Sequence, residues 1–196
     1  MRSEHYYNQH AAHFVEATFE VDMSNIYAVF LQHMEKNGRI LDVGCGSGRD
    51  ALYFTRQGFS VDAFDSAQEL VALARIRTRL PIEHKSFYTL EAHNQYDGFW
   101  ACASLLHCKR ERLPEVFQRL IRALKVGGVG YCSFKYGVHD SSQAGRSFVN
   151  LNESQLNALL SGLANIQVLK LWVTADNRVD RQDKWLNLLI QKTAID

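Results

Sequence analysis

Three glycines at alternate positions, and an aspartate about 20 residues further on, are the residues whose types and spacing first suggest a chemical use. Gly44, Gly46 and Gly48 lie directly after a short apolar run. Glycine tolerates positive φ and lets backbone N–H groups approach a ligand closely. Asp65 ends the next apolar run, where a carboxylate can accept hydrogen bonds from both ribose hydroxyls of a nucleoside. The combination predicts a nucleoside site beside a glycine loop.

Two common phosphate-binding motifs do not fit this loop. A dinucleotide fingerprint, GxGxxG, needs a third glycine at the position that Arg49 occupies. A P-loop needs GxxxxGK[ST], and both its spacing and its lysine are missing. Nicotinamide dinucleotides and nucleoside triphosphates are therefore disfavoured. Two simpler explanations stay open: a glycine turn that serves backbone geometry alone, and an Asp65 that only precedes a helix.

Further candidates lie at the ends of later apolar runs. His107 ends the segment ACASLLH, where it could take a proton from an acceptor or merely cap a loop and shape a pocket. Polar stretches beyond later strands are places where binding residues collect, and cations there would favour an anionic acceptor. The candidates for substrate contact are Lys135, Tyr136, Arg146 and Trp185. A solvated surface is the alternative for all four.

No metal-ligand pattern is present. The eight histidines form neither HExxH nor a His/Cys cluster, so no metal site is expected. The four cysteines are spaced too widely for a CxxC pair and are predicted to be reduced and structural.

Composition bounds the class of protein. The chain has 196 residues, 46% of them hydrophobic, which suits one globular domain. A formal net charge of +1 gives no global attraction to nucleic acid or to membranes. No run approaches the roughly 20 apolar residues of a membrane span, and the N-terminal stretch has no signal-peptide core. We expect a cytoplasmic monomer or homodimer whose partner is a small molecule.

Strands and helices alternate along the sequence and position these residues. Apolar runs predict strands over 39–43, 60–64, 81–85, 96–103, 129–134, 166–173 and 185–191. Helical periodicity predicts helices over 24–38 and 50–58, one opened by a Ser66–Glu69 capping box, one over 114–124 closed by Gly127 and Gly128, and one over 152–162. Alternation predicts a mainly parallel sheet with helices on both faces, and the last two strands predict an antiparallel hairpin at one edge. Ligands bind such sheets beyond the carboxyl ends of the strands, where the glycines lie.

The motifs resemble those of class I S-adenosylmethionine-dependent methyltransferases. The resemblance rests on DVGCGSG with the acid ending the second strand, on YDGFWACASLLH, and on LKVGG before the fifth strand. More narrowly, YYNQHAAHF, GSGRDA, ACASLLH, SFKYG and KWLNLL are similar to small bacterial methyltransferases of the tellurite-resistance and thiopurine types. The resemblance covers essentially the whole chain and is specific for the cofactor but weak for the acceptor.

The resemblance implies a Rossmann-like three-layer α-β-α sandwich with seven strands in the order 3-2-1-4-5-7-6, strand 7 antiparallel. Residues 1–196 would form one methyltransferase domain, with an N-terminal helical cover over 1–37 and a sheet core over 38–196. The implied cofactor is S-adenosylmethionine, with Asp65 on its ribose and the glycine loop beneath it. The full set of expected cofactor contacts is Tyr7, Asp42, Gly44, Gly46, Gly48, Arg49, Asp65, Ser66, Ser86, Phe87, Ala103 and Ser104.

Methyl transfer from a sulfonium is an in-line displacement with an already activated donor, so positioning can supply much of the rate. We expect transfer to a small-molecule acceptor, with His107 as the candidate base. The [DNS]PP[YF] motif of amino-directed nucleic-acid methyltransferases is missing after the fourth strand, and no basic run is present. The alternatives are a non-catalytic cofactor-binding module, a nicotinamide-dependent oxidoreductase, and a tRNA or protein methyltransferase that works with a partner.

Overall fold

The computed structural model describes residues 2–178 and 181–194, so two residues of the polar connection predicted between the last two strands, Val179 and Asp180, lie outside the described residues. The helices in this part are α1 (Arg2–Gln9), α2 (Ala11–Thr18), α3 (Ser24–Leu31), α4 (Arg49–Arg56), α5 (Gln68–Thr78), α6 (Leu113–Ala123) and α7 (Glu153–Leu160). The strands are β1 (Arg39–Val43), β2 (Ser60–Asp65), β3 (Glu83–His84), β4 (Tyr96–Ala101), β5 (Leu124–Tyr136), β6 (Ser141–Gln143), β7 (Arg146–Phe148), β8 (Asn150–Leu151), β9 (Ile166–Ala175) and β10 (Lys184–Lys192).

The central sheet has the order β3-β2-β1-β4-β5-β10-β9, with β8 paired additionally to β5. Strand β10 runs antiparallel to both of its neighbours, and the remaining pairs are parallel. Because β9 and β10 are the sixth and seventh strands expected from the sequence, the predicted order 3-2-1-4-5-7-6 is confirmed. Strands β9 and β10 pair antiparallel along their length, with Lys184 opposite Ala175, and so form the predicted hairpin.

Two apolar layers, one on each face of the sheet, hold the helices in place. On one face Phe30 of α3 and Phe54 of α4 pack against Trp100 of β4. On the other face the apolar stripe of α6, including Phe117, packs against Phe134 and the alternate residues of β4 and β5. Residues of alternating orientation on β4 and β5 supply both layers, which explains why these strands read as nearly continuous apolar runs.

The structure corrects three predicted helix boundaries. Helix α3 ends at Leu31 and does not reach the predicted stop at Gly38. The Ser66–Glu69 capping box is wrong, because α5 begins after Ala67 and has no side-chain cap. The predicted glycine stop at Gly127 and Gly128 is also wrong. Helix α6 ends at Ala123, and both glycines belong to the long strand β5, where Gly127 has a φ of 81°. A capping box does form, between Asn152 and Gln155 at the start of α7.

The polar segment after β5 contains a small hairpin in place of the expected loop. Strands β6 and β7 pair antiparallel, with Gln143 opposite Arg146. The two residues between them, Ala144 and Gly145, have φ values of 50° and 80°, the backbone of a tight hairpin turn. Without an Asn-Gly or Asp-Gly dipeptide, the sequence carries only a weak signal for this turn. No helix in the described part of the chain is long and apolar enough to cross a membrane.

Candidate functional site

A cavity of about 640 Å³ opens beyond the carboxyl ends of the central parallel strands. The glycine loop after β1, Asp65 at the end of β2, the segment after β4 and Lys135 of β5 line its floor and walls. Residues of α1 and α2, among them Tyr7 and Phe14, line it from the other side. The sheet and the N-terminal helices thus enclose one site between them.

The three glycines of the loop all have positive φ, of 73° at Gly44, 53° at Gly46 and 78° at Gly48. A Cβ on Gly44 would lie 2.7 Å from Cβ of Ser104, and one on Gly46 would lie 3.0 Å from the ring of Phe14. A Cβ on Gly48 would lie 2.7 Å from the methyl group of Thr78 in α5. Side chains are therefore excluded by protein atoms and backbone conformation. Gly44 and Gly46 line the cavity, whereas Gly48 packs on α5 and does not.

Asp65 is buried at the rim of the cavity and already holds two backbone donors. Its Oδ2 accepts from the N–H of Gly46 and its Oδ1 from the N–H of Ala67, both at 2.9 Å. Burial raises the pKa of Asp65, and these backbone hydrogen bonds offset the rise only in part. Each oxygen keeps a further lone pair, so the carboxylate can still accept hydroxyl donors from a ligand.

Arg49 and Asp42 do not present free charges to the cavity. The guanidinium of Arg49 forms a fork with Asp50, at 2.6 and 3.0 Å, and donates to the carbonyl oxygen of Thr18 at 3.2 Å. Asp42 is buried and is not among the cavity-lining residues, and its Oδ2 has no hydrogen-bond partner. Arg49 does line the cavity, but Asp50 already neutralises its charge.

The remaining expected cofactor contacts line the cavity. Phe87 packs edge-on against Phe64, and the hydroxyl of Ser86 accepts from the N–H of Tyr88 at 3.4 Å. Ala103 has a φ of 49°, an uncommon conformation for a residue with a side chain, and its N–H donates to the hydroxyl of Ser133. This bend directs the next residue, Ser104, against Gly44 with its hydroxyl buried and unpaired. Ser66 also lines the cavity.

Tyr7 and His107 form a hydrogen-bonded pair in the cavity wall. The Tyr7 hydroxyl lies 2.9 Å from Nε2 of His107, and Nδ1 of His107 lies 3.0 Å from the carbonyl oxygen of Ser147. Only a protonated Nδ1 can donate to a carbonyl, so Nε2 is the acceptor and Tyr7 the donor. Burial is the main cause that lowers the pKa of His107 to about 4, and it raises the pKa of Tyr7. The imidazole is therefore neutral at pH 7.

Three of the four residues expected to contact the acceptor line the cavity, and Tyr136 does not. Lys135 lines the cavity and pairs with Asp183 at 3.0 Å, and the indole N–H of Trp185 donates to Asp176 at 3.1 Å. Arg146 lines the cavity without an ion-pair partner among the described residues. Tyr136 does not line it, because its side chain points outwards and its hydroxyl donates to Glu153.

One buried group at the site was missed in the sequence. The Asp50 carboxylate accepts from the Tyr27 hydroxyl and, at 2.8 Å, from the indole N–H of Trp100, in addition to its pairing with Arg49. This network joins α3, α4 and β4 directly behind the glycine loop. Its only signal in the sequence is an Arg-Asp pair at the start of a helix, which also suits a solvated helix end.

Comparison with known proteins shows what this arrangement is similar to. A family of methyltransferase domains matches residues 40–128. The probable S-adenosyl-L-methionine-dependent methyltransferase TehB of Haemophilus influenzae is 28% identical over 96 residues, which cover 46% of this chain and 33% of that protein. The chain thus spans about a third of the length of this curated relative.

Solved structures share the fold over nearly the whole chain. The 1,6-didemethyltoxoflavin-N1-methyltransferase of Burkholderia thailandensis, solved with 1,6-didemethyltoxoflavin and S-adenosylhomocysteine, has a TM-score of 0.79 at 22% identity and covers 98% of this chain and 87% of its own. The [4+2]-cyclase SpnF has a TM-score of 0.76 at 16% identity, with 98% and 96% covered. From β1 to the start of β5 the chain therefore matches a methyltransferase domain, and this match, together with the sheet order, supports a class I S-adenosylmethionine-dependent methyltransferase.

Proposed function

We propose that this chain transfers the methyl group of S-adenosylmethionine to a small-molecule acceptor. The observation that carries the proposal is the cavity of about 640 Å³, which is lined by the glycine loop and Asp65 as well as by Tyr7 and His107. Its volume lies within the range of small-molecule sites and is enough for a cofactor and a small second ligand.

The donor set on the cavity floor suits an adenosine-bearing methionine. Asp65 would accept hydrogen bonds from the ribose hydroxyls, and Phe87 would pack against the adenine. The unpaired hydroxyl of Ser104 and the backbone of Gly44 and Gly46 would hold the remainder of the cofactor. When bound, the cofactor supplies a methyl group on a positively charged sulfur, which needs no acid to activate its departure.

In this proposal residues 1–196 act as one domain in which residues 1–37 cover the core. Tyr7 of α1 and Phe14 of α2 line the cavity opposite the sheet, and Phe14 lies directly over Gly46. Their role would be to exclude water and to hold the acceptor in line with the methyl group, since displacement depends on orientation.

His107 is better suited to hold Tyr7 than to accept a proton. A base whose conjugate acid has a pKa of about 4 has little driving force for proton abstraction at pH 7. Its two hydrogen bonds instead fix the Tyr7 hydroxyl between the imidazole and the cavity. We therefore assign His107 as a positioning residue and expect the acceptor to react through a lone pair that is available at neutral pH.

Replacing His107 separates these roles. His107→Gln keeps an acceptor for Tyr7 and a donor for Ser147, so turnover should fall by less than about tenfold, whereas His107→Ala should raise KM and lower kcat together. The measurement is steady-state kinetics from pH 5 to 9. A loss in His107→Gln as large as that in His107→Ala, with a changed pH profile, would contradict positioning and restore the base.

The proposed function is tested in two steps. Calorimetry with S-adenosylhomocysteine and with NAD should show saturable binding of the first only. Incubation with methyl-labelled S-adenosylmethionine and panels of small metabolites, tRNA and protein should then label a small molecule. Binding without any labelled product would favour a non-catalytic module, and label in tRNA or protein would favour the macromolecular alternative.

A further inference from the structure

The cationic side chains of the cavity differ in whether a carboxylate neutralises them. Within the described residues, four partly buried cations line it: Arg49, Lys135, Arg146 and Arg178. Three of them form ion pairs with a neighbouring aspartate, at 2.5 to 3.0 Å. Arg146 forms none. Because a partly buried cation without a counter-charge is unfavourable, this exception calls for an explanation in terms of a ligand.

Aromatic rings fix the orientation of the Arg146 guanidinium. Its central carbon lies 4.4 Å from the centre of the Tyr6 ring and 5.3 Å from that of Phe148. Its Nε is buried and has no hydrogen-bond partner. The pairing of Arg146 with Gln143 in the β6–β7 hairpin holds its backbone as well. The guanidinium is thus positioned in advance, and it pairs with no carboxylate among the described residues.

Arg146 lies near the Tyr7–His107 pair in the cavity wall. Its charge counteracts the burial that raises the pKa of Tyr7, and it adds to the burial that lowers the pKa of His107. The geometry agrees, because Nδ1 of His107 lies 3.0 Å from the carbonyl oxygen of Ser147, the residue that follows Arg146 in β7. The ring of Phe148, which contacts the guanidinium, also lies 5.1 Å from the His107 ring.

We propose that Arg146 binds an anionic oxygen group, a carboxylate or a phosphate, on the methyl acceptor, which is therefore an acidic small molecule. This inference rests on the proposed function and names its substrate class. A guanidinium held in a fixed plane can bind such a group through two parallel hydrogen bonds, the arrangement in which arginine is most selective. The bound anion would supply the missing counter-charge.

The test follows the side-chain Nε–Hε signal of Arg146 by NMR in the full chain saturated with S-adenosylhomocysteine. Arg146→Met identifies the signal by its disappearance. At constant ionic strength, benzoate, acetate or inorganic phosphate should shift it saturably, and the neutral amides benzamide and acetamide should not. The acid should bind at least about tenfold more tightly than its amide, and Arg146→Met should abolish this difference.

Arg77 provides the matched control. Its guanidinium lies 4.5 Å from the ring centre of Phe19, a similar aromatic contact, but Arg77 does not line the cavity. Its signal should not respond, and Arg77→Met should keep the preference for the acid. An Arg146 signal that no anion shifts, or that acid and amide shift alike, would overturn the inference while S-adenosylhomocysteine still binds. If S-adenosylhomocysteine itself fails to bind, the proposed function fails.

Discussion

Two carboxyl groups behind the glycine loop, Asp42 and Asp50, have opposite electrostatic environments. Burial by itself acts to raise the pKa of both groups, but other contacts decide the outcome. At Asp50 the charge of Arg49 and the donors Tyr27 and Trp100 more than offset burial, so its pKa lies below the ordinary value. At Asp42 the nearby Asp50 adds to the effect of burial, and the pKa lies well above the ordinary value. Ionised Asp50 therefore stabilises the fold, whereas ionised Asp42 destabilises it.

Replacing each carboxyl by an amide should show this contrast. At pH 7.5 Asp50→Asn leaves Arg49 without its counter-charge and should lower the free energy of unfolding by about 3–5 kcal/mol. Asp42→Asn removes a destabilising group and should lower it by less than about 0.5 kcal/mol or raise it. Urea unfolding measures both values.

The pH dependence has a definite sign for each group. The stabilisation by Asp50 is present above its unfolded pKa and is lost as the pH falls through its lowered folded pKa. The penalty at Asp42 fades as the pH falls through its raised pKa, so the advantage of Asp42→Asn over the native chain should shrink towards pH 5. Equal losses for the two variants at pH 7.5 would contradict the assignment.

At the scale of elements, α2 closes the cavity over the glycine loop. Phe14 contacts Tyr7 edge-on at 5.1 Å between ring centres and lies against Gly46, while Ala11 and Val15 anchor the helix on α5. The glycine loop and the helix above it are thus fitted to each other. A change in the packing of α2 should therefore change the affinity of the cavity for the cofactor.

Truncating Phe14 tests this dependence. Phe14→Ala opens the cavity above Gly46 and should weaken S-adenosylhomocysteine binding by about tenfold in calorimetry, because a ring that shields the ligand is removed. Phe19→Ala is the control, since Phe19 contacts Arg77 outside the cavity and should leave the affinity within about twofold. Similar losses in both variants would show that general destabilisation, and not the cover, determines the affinity.

At the scale of the whole molecule, cofactor binding should stabilise the fold, because the cavity is built from both ends of the chain and from the centre of the sheet. S-adenosylhomocysteine at about 100 times its Kd should add about 2.7 kcal/mol. For a domain of this size, that corresponds to a rise in Tm of about 5–10 °C. Differential scanning calorimetry measures it.

Asp65→Asn should reduce this ligand-induced rise in Tm. Loss of the charged acceptor for the ribose hydroxyls should weaken binding by about 100-fold, which leaves less than about 1 kcal/mol at the same concentration. Asp62→Asn, on the same strand but in a surface pair with Arg39, should keep the full rise. A full rise in Asp65→Asn would disprove the role of Asp65.

The sequence by itself determined the alternation of strands and helices, the final antiparallel hairpin, the glycine loop and the acid at the end of β2, because these depend on local periodicity and on short fixed spacings. The order of the strands in the sheet was implied by the family resemblance. The ends of the helices were predicted less accurately than the existence of the helices. The Ser66 cap failed because the N–H of Glu69, which the Ser66 side chain would have accepted, donates to Oδ1 of Asn8. The glycine stop failed because pairing with β4 and β10 extends β5.

Only the tertiary structure decided how the charges of the site are used. The sequence offered Arg49 for the cofactor and Lys135 and Arg146 for the acceptor, with nothing to tell which of these cations is neutralised, yet two are paired with aspartates and Arg146 is not. It also offered His107 as a base or as a capping residue, but burial leaves the imidazole neutral beside Tyr7, although the hydrogen bond to Ser147 acts to raise its pKa. The reason is physical: solvation and pairing depend on neighbours that lie far away along the chain, and local sequence carries no record of them.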